Sequence, residues 1–478
     1  MTAAARPAIP RSQRLALAVV CAATLMTIVD ETVVSVALPS IQRDLGFAAA
    51  DLSWVVNAYL ISFGGLLLLA GRIGDLVGRS RVLLIGLSLF VAASALCGAA
   101  PSAATLVAAR FVQGAGAALA GAVALGMVVA LFDDPRLRTR AIGIYSFVGA
   151  SGASIGVFCG GVITDLAGWR WAFFINVPIG LLTIALGRRV LAAEGGPGLR
   201  QGADLMSALL LVAGVMLAIV AIVDDRVRGV GVVAIALVTL FVRRQATARR
   251  PLLRLAVLRS RVVAGANAVH ALMVGAMFGF QFLITLYFQR VLGYTPVQAG
   301  LGVLPVAAGI GAMSLLVFPR VEQRFGARLA LLPGLLAIAG GLALLTRVPI
   351  HGAYLADVAP SIALFAVGCG LTLPGVMSIA MAGATPQTAG VASGLINTSQ
   401  QVGGALGLAI LAALAATRTD HLRADGVSDA AALVGGFQLA WGVAAGFVLA
   451  ALAVVVIAVR DPRRCADTGT ESPATAGA

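Results

Sequence analysis

Along this chain, apolar stretches of about 20 residues alternate with short polar gaps, the length a helix needs to cross a bilayer core at about 1.5 Å per residue. Fourteen stretches can be marked, near 15–38, 52–70, 82–100, 102–131, 141–163, 171–190, 204–223, 228–242, 262–288, 297–318, 329–346, 358–381, 388–416 and 432–459. The pattern predicts an all-α polytopic membrane protein of about 14 transmembrane helices. The eighth stretch is short, which leaves open a twelve-span protein with an interfacial hairpin. The first is not read as a cleavable signal, because its apolar run is long and no small-residue cleavage site follows before the next span.

Composition agrees with the pattern: 60% of residues are hydrophobic, 11% are charged, and mean hydropathy is +1.00. A soluble core does not need that much apolar surface. The net charge of +14 calls for no nucleic-acid partner, because membrane topology accounts for it. All 34 basic residues are arginine. With an even number of spans, one face takes Arg6, Arg11, Arg14, Arg72, Arg79, Arg81, Arg136, Arg138, Arg140, Arg188, Arg189 and Arg200. It also takes the run from Arg243 to Arg261, then Arg320, Arg324, Arg328, Arg460, Arg463 and Arg464. The other face takes Arg43, Arg170, Arg226, Arg228, Arg290, Arg347, Arg418 and Arg423, so the count is 25 to 8 with Arg110 left inside a span. Positive residues collect on the cytoplasmic side, so both termini are expected there. The five cysteines are scattered without CxxC spacing, which suggests neither a disulfide framework nor a metal site.

An internal echo divides the chain. Gly71-Arg-Ile-Gly-Asp-Leu-Val-Gly-Arg79 recurs in weaker form as Pro319-Arg-Val-Glu-Gln-Arg-Phe-Gly-Ala327. Read as equivalent loops, these give six plus two plus six spans: an N-terminal six-helix bundle over 1–200, a two-helix linker over 201–255, a C-terminal six-helix bundle over 256–460 and a disordered cytoplasmic tail over 461–478. Parallel halves around a central cavity are a transporter architecture.

Asp30, Glu31 and Arg110 are the charges that fall inside spans, where an ionisable group is costly and points to function. At helical rise Asp30 and Arg110 both lie about 12 Å from the same surface, so they can pair. The pair reads either as a packing device or as a proton site whose environment changes as it opens and closes; a desolvated carboxylate holds its proton more tightly than one beside a cation or water. Glu31, the third candidate for proton coupling, lies about 100° around the helix from Asp30, which lets one of the two face the cavity and the other a neighbouring helix or water. Further polar candidates for a substrate cavity are Gln113, Asn57, Asn267, His270, Gln281 and Asn397. Gly152, Gly156, Gly160 and Gly161 have the spacing of a close helix seam. Gly71 and Gly78 permit a sharp turn around Asp75 and Arg79, and Trp169 and Trp171 suit a membrane interface.

Four stretches together resemble the major facilitator superfamily, in its fourteen-helix drug:proton antiporter family of the EmrB/QacA type: Val29-Asp-Glu-Thr-Val-Val-Ser-Val-Ala-Leu-Pro39, Gly71 to Arg81, Arg110 to Gly116, and Trp169-Arg-Trp-Ala-Phe-Phe-Ile-Asn-Val-Pro-Ile-Gly180. The resemblance runs from about residue 15 to 458 and also takes in Gly293 to Gly300 and Gly390 to Gly394. It implies a secondary transporter rather than an enzyme, exporting amphipathic drugs or antibiotics across a bacterial inner membrane by alternating access, with the proton as coupling ion and no cofactor. It places proton coupling on Asp30 and Arg110 and gating on the Asp75–Arg79 loop, whose acidic residue latches the halves in the outward-facing state. Two positions depart from the family pattern. Leu76 stands where an arginine is common, and Val157 replaces the proline of the span-five motif GxxxGPxxGG. Glu31 occupies a variable family position, so no role carries over to it. The expected partners are a small-molecule substrate, protons and the bilayer, with the protein a monomer. The alternative is an exporter dedicated to one natural product, lipid or metabolite. A membrane enzyme or receptor is the least favoured reading, since the loops hold no metal-ligand set or paired catalytic carboxylates.

Overall fold

The computed structural model describes residues 10–48, 51–132, 134–191, 204–223, 227, 229–248, 260–381 and 389–458, so the expected tail over 461–478 lies outside the described residues. No strand occurs among them. The helices are α1 Arg11–Leu45, α2 Trp54–Val77, α3 Arg79–Gly98, α4 Ala103–Ala130, α5 Pro135–Leu166 and α6 Trp171–Val190. Then follow α7 Leu205–Val223, α8 Val230–Thr247, α9 Arg261–Val291, α10 Pro296–Phe325, α11 Ala327–Leu345, α12 Tyr354–Ala380, α13 Ala389–Ala424 and α14 Asp429–Ala458. Thirteen of these are long and apolar enough to cross a membrane by themselves. α5, with 32 residues, is the fourteenth. The eighth span is a helix of 18 residues, which favours fourteen crossings over twelve with a hairpin.

Local chemistry sets the ends. α4 opens on a capping box between Ser102 and Thr105, and α10 on one between Thr295 and Gln298 with Pro296 at its first position. α1 stops at Gly46, whose φ of 67° is left-handed. The repeated loop motif becomes a repeated turn. Gly78 separates α2 from α3 at φ 107° and ψ 131°, and Gly326 separates α10 from α11 at φ 84° and ψ 160°. Both conformations favour glycine, and their match supports the equivalence of the two halves.

In the N-terminal half, α4 packs on α2 and α3, and α1 packs on α5; in the C-terminal half, α9 packs on α13 and α14, and α11 on α12. The linker helices α7 and α8 pair with each other, and α7 lies against α2 and α13, one from each half. A clasp joins the pair: Arg244 contacts Asp204 at 2.9 Å, and Gln245 donates to the Ser207 hydroxyl at 2.6 Å. Large exposed apolar side chains such as Val232, Ile235, Leu355 and Ile457 suit a lipid-facing surface.

The halves meet along α5–α10 and α2–α13. At the first seam Gly161 faces the Pro296 carbonyl and Val297, and Gly300 faces the Val157 carbonyl. Close by, Gln289 donates across the halves to the Val36 carbonyl at 2.9 Å. These contacts use the ends of α1, α5 and α9 and the start of α10, so the structure is closed on the face opposite the start of α1. α10 follows the same gradient: Ala299, Gly300, Gly302 and Val303 are buried, whereas none of Met313–Val317 is.

Candidate functional site

The equal-depth expectation for Asp30 and Arg110 is met by direct contact. Arg110 Nη1 lies 2.6 Å from Asp30 Oδ2, and both side chains are within 1% of complete burial. The network continues around them. Gln113 and Asn176 each donate a side-chain N–H to Asp30 Oδ1 at 2.8 Å. Arg110 also donates to Gln113 Oε1 at 2.8 Å and to the Val55 carbonyl at 3.0 Å, and its guanidinium lies 4.3 Å from the centre of the Tyr59 ring. Asn176 reaches on to the Ser94 hydroxyl at 3.1 Å, which itself donates to the Phe173 carbonyl.

Side chains from α1, α2, α3, α4 and α6 thus converge on one ion pair. Helical spacing explains part of this, because Arg110 and Gln113 are three residues apart and share a face of α4. Small residues explain the rest. Gly114 lies against the Tyr59 carbonyl and Ser62, and Gly116 against the Phe90 backbone, so α4 approaches α2 and α3 closely enough for side chains to bridge. Both Asp30 oxygens accept from the protein, Oδ2 from Arg110 and Oδ1 from Gln113 and Asn176, so the carboxylate's hold on a proton depends on where these donors stand.

The other candidates fall into distinct places. Gln113 belongs to this network rather than to an open cavity wall. Glu31 is half-buried and its carboxylate accepts no hydrogen bond among the described residues. Asn267 and His270 come together at the α9–α13 seam: Ser399 donates to Asn267 Oδ1 at 2.9 Å, and His270 Nε2 lies 3.2 Å from Gln400 Oε1. His270 Nδ1, the whole Asn57 amide and the Gln281 amide nitrogen are buried without a partner among the described residues. Asn397 is half-buried on α13.

The gating loop is built around Gly78. Asp75 and Arg79 form an ion pair at 3.3 Å, and Arg79 also donates to the Gly126 carbonyl near the end of α4 at 3.2 Å. Both partners lie in the N-terminal half, so among the described residues Asp75 makes no bond across the halves in this closed form. Gly71 approaches Ala122 and Gly74 approaches Val123, which seats the end of α2 on α4. Gly152, Gly156 and Gly160 line up on α1, facing Leu25 and Ile28, then Val29 and Thr32, then Val33, while Gly161 turns to α10. Trp171 is exposed, as an interface anchor requires; Trp169 is buried and donates to Asp44, which also pairs with Arg170.

Asn176 and Ser94 were not among the sequence candidates. Asn176 had a visible signal, an amide between apolar residues in Phe173-Phe-Ile-Asn-Val-Pro178, but nothing in the sequence showed that it would face Asp30.

Fourteen long apolar helices, with an ion pair sealed among five of them, make a multi-pass membrane protein, and its family makes it a transporter rather than an enzyme. Comparison with known proteins agrees: residues 20–408 match the Major Facilitator Superfamily, and the chain belongs to that family. It is 36% identical over 470 residues to a puromycin resistance protein of Streptomyces alboniger, covering 95% of this chain and 93% of that one. It is also 36% identical over 420 residues to a cephamycin export protein of Amycolatopsis lactamdurans, covering 86% of each. A bacterial homologue of the human lysosomal transporter Spinster, solved in an inward-facing and unoccupied conformation, superposes with a TM-score of 0.71 at 16% identity, covering 98% of this chain and all of that one. This last likeness concerns the fold alone.

Proposed function

We propose that this protein is a proton-coupled efflux antiporter of drugs or antibiotics in a bacterial cytoplasmic membrane, with both termini in the cytoplasm. The observation that carries the reading is the Asp30–Arg110 pair, an ion pair sealed inside the membrane within the N-terminal half and carried on α1, a helix that also touches α9 and α10 of the other half. The relatives named for puromycin resistance and cephamycin export support the outward direction. With the arginine-rich face in the cytoplasm, the closed face is external and the described form faces inward. Arg110 and Gln113 ride on α4, Asn176 on α6 and Asp30 on α1. A shift of α1 against its neighbours removes donors from the carboxylate, and its protonation is thereby tied to conformation. The Asp75–Arg79 loop acts in the opposite form, when the cytoplasmic face closes. The two relatives carry the names of single compounds, which favours as second reading an exporter dedicated to one natural product.

The test is dye flux, ethidium for example, in proteoliposomes under an imposed pH gradient, comparing wild type with Asp30→Asn. The reading expects gradient-driven movement that vanishes in the variant. Concentrative flux by Asp30→Asn equal to wild type removes Asp30 from coupling, and no flux in either protein favours the dedicated exporter.

A further inference from the structure

α1 carries two adjacent carboxylates in opposite circumstances. Asp30 is sealed and saturated by Arg110, Gln113 and Asn176, so no substrate reaches it without dismantling the network. Glu31 makes no salt bridge and accepts no side-chain hydrogen bond among the described residues, and Arg110 acts on it only at a distance.

Its direction follows from the helix. Leu25, Ile28, Val29 and Thr32 lie against the α5 glycines, and Met26 and Asp30 lie toward α4 and α6. Glu31 occupies a third face, together with Thr27 and Ser35, which at 100° per residue fall within an arc of about 80°. Thr27 and Glu31 are half-buried, and Ser35 is 9% exposed. α1 touches helices of both halves, α4, α5 and α6 on one side and α9 and α10 on the other. Its polar face therefore looks into the space between the halves rather than into lipid.

The hydroxyls of this stripe are satisfied by their own helix: Thr27 donates to the Thr24 carbonyl and Ser35 to the Glu31 carbonyl. The Glu31 carboxylate is the stripe's remaining unpaired group. Nothing described across the cavity neutralises it. The described arginines of the C-terminal half lie at or near helix ends, Tyr287 near the end of α9 donates to the Pro349 carbonyl, and His270 within α9 is engaged with Gln400. Arg110 directs its hydrogen bonds to Asp30, Gln113 and the Val55 carbonyl, so a charge on Glu31 has no direct partner among the described residues. A buried anion without a partner is costly, and a ligand that brings the opposite charge removes that cost.

We infer that Glu31 is the specificity residue of the central cavity, selecting cationic amphiphiles, such as compounds with a protonated amine or a quaternary centre, over neutral and anionic ones of the same shape. This inference rests on the exporter reading and names its substrate class.

The test uses two probes of matched shape and opposite charge, tetraphenylphosphonium and tetraphenylborate, with equilibrium binding measured on the purified full-length chain in detergent. Wild type is expected to prefer the phosphonium. Glu31→Gln is expected to weaken phosphonium binding about ten- to a hundredfold, the scale of one charge contact at intermediate dielectric, and to relieve the exclusion of the borate. Glu31→Asp, which keeps the charge, should stay near wild type, and an unchanged melting temperature in Glu31→Gln shows that folding is intact. Equal binding of both probes by wild type, or phosphonium binding unaffected in Glu31→Gln, overturns the inference. Uphill dye efflux measured on the same preparations separates the two levels. Efflux without Glu31-dependent charge preference sinks this inference alone, whereas charge preference without gradient-driven efflux sinks the exporter reading and leaves Glu31 as a cation-binding residue.

Discussion

Removing either charge of the Asp30–Arg110 pair while leaving the other buried should damage both folding and coupling, and removing both should separate the two effects. The contact distance is 2.6 Å with both groups sealed. At a charge-centre separation of about 4 Å and an effective dielectric of about 20, the attraction is about 4 kcal/mol, the same scale as the roughly 3–5 kcal/mol cost of stranding one member of a buried pair. Asp30→Asn turns one acceptor oxygen into a donor facing either Arg110 or the Gln113 and Asn176 amides. Flipping Gln113 does not relieve this, because its Oε1 already accepts from Arg110 at 2.8 Å. Arg110→Gln leaves the carboxylate with amide donors only. Each single variant should therefore melt below wild type in detergent, while Asp30→Asn combined with Arg110→Gln should regain most of the loss, a coupling of at least about 2 kcal/mol. None of the three should concentrate substrate against its gradient. The reasoning fails if the single variants melt like wild type, or if the double variant drives uphill efflux, since the pair would then be dispensable to the coupling assigned to it.

Three other consequences follow from the same contacts. Asn176→Leu removes one amide from Asp30 and from Ser94 but leaves the charges paired, so it should cost about 1–3 kcal/mol in detergent unfolding and slow, rather than abolish, proton-driven flux. Asp75→Asn breaks an ion pair whose members are 38% and 55% exposed, so melting should barely move, within about 0.5 kcal/mol, while turnover in proteoliposomes falls if the loop acts when the cytoplasmic face closes. Asp204, just before α7, lies outside the spans. Burial works against its ionised form, but hydrogen bonds from Ser207 and Arg244 outweigh that and hold its carboxyl below the usual range. A depressed folded-state pKa stabilises above the unfolded value of about 3.9 and is lost as pH falls through the lower folded value. Acidification below about pH 4 should loosen the α7–α8 clasp, and Asp204→Asn should remove that pH dependence from hydrogen exchange of the two helices.

The spans, the repeated loop and the pairing of Asp30 with Arg110 were legible in the sequence because each rests on a one-dimensional quantity: hydrophobic length, motif recurrence or depth along a helix. Fourteen crossings needed only apolar run lengths, and equal depth needed only helical rise. What depends on rotation about the helix axis was not legible. Asp30 and Glu31 are neighbours in sequence, yet one is fully satisfied and the other is not. Gln113, read as a cavity residue, is sealed in the ion-pair network because Gly114 and Gly116 draw α4 close to α2 and α3. Asn176 escaped notice because its partner is 146 residues away.

Val157, where the family pattern has proline, can be weighed from the backbone around it. A proline there would remove one amide hydrogen bond from α5 and favour a local bend. The functional demand on this part of α5 is met by other atoms. Gly156 and Gly160 bring α5 against the backbone of Val29 and Val33, and the Val157 carbonyl faces Gly300 while Gly161 faces Pro296. The same turns of α5 thus bear on α1, the helix of the buried carboxylate, and on α10 of the other half. A displacement at the inter-half seam would reach α1 through glycine contacts that have no side chains to absorb it. On this argument the substitution stiffens α5 without uncoupling it, and Gly160 is the more critical position. A Cβ at Gly160 would lie 2.8 Å from the Val33 Cα, which cannot rotate aside, so Gly160→Val should force the helices apart and impair uphill efflux. Val157→Pro should leave the glycine seam in place and retain coupled transport. The reverse result, a coupled Gly160→Val and an uncoupled Val157→Pro, would show that bending of α5 rather than its glycine seam transmits the motion.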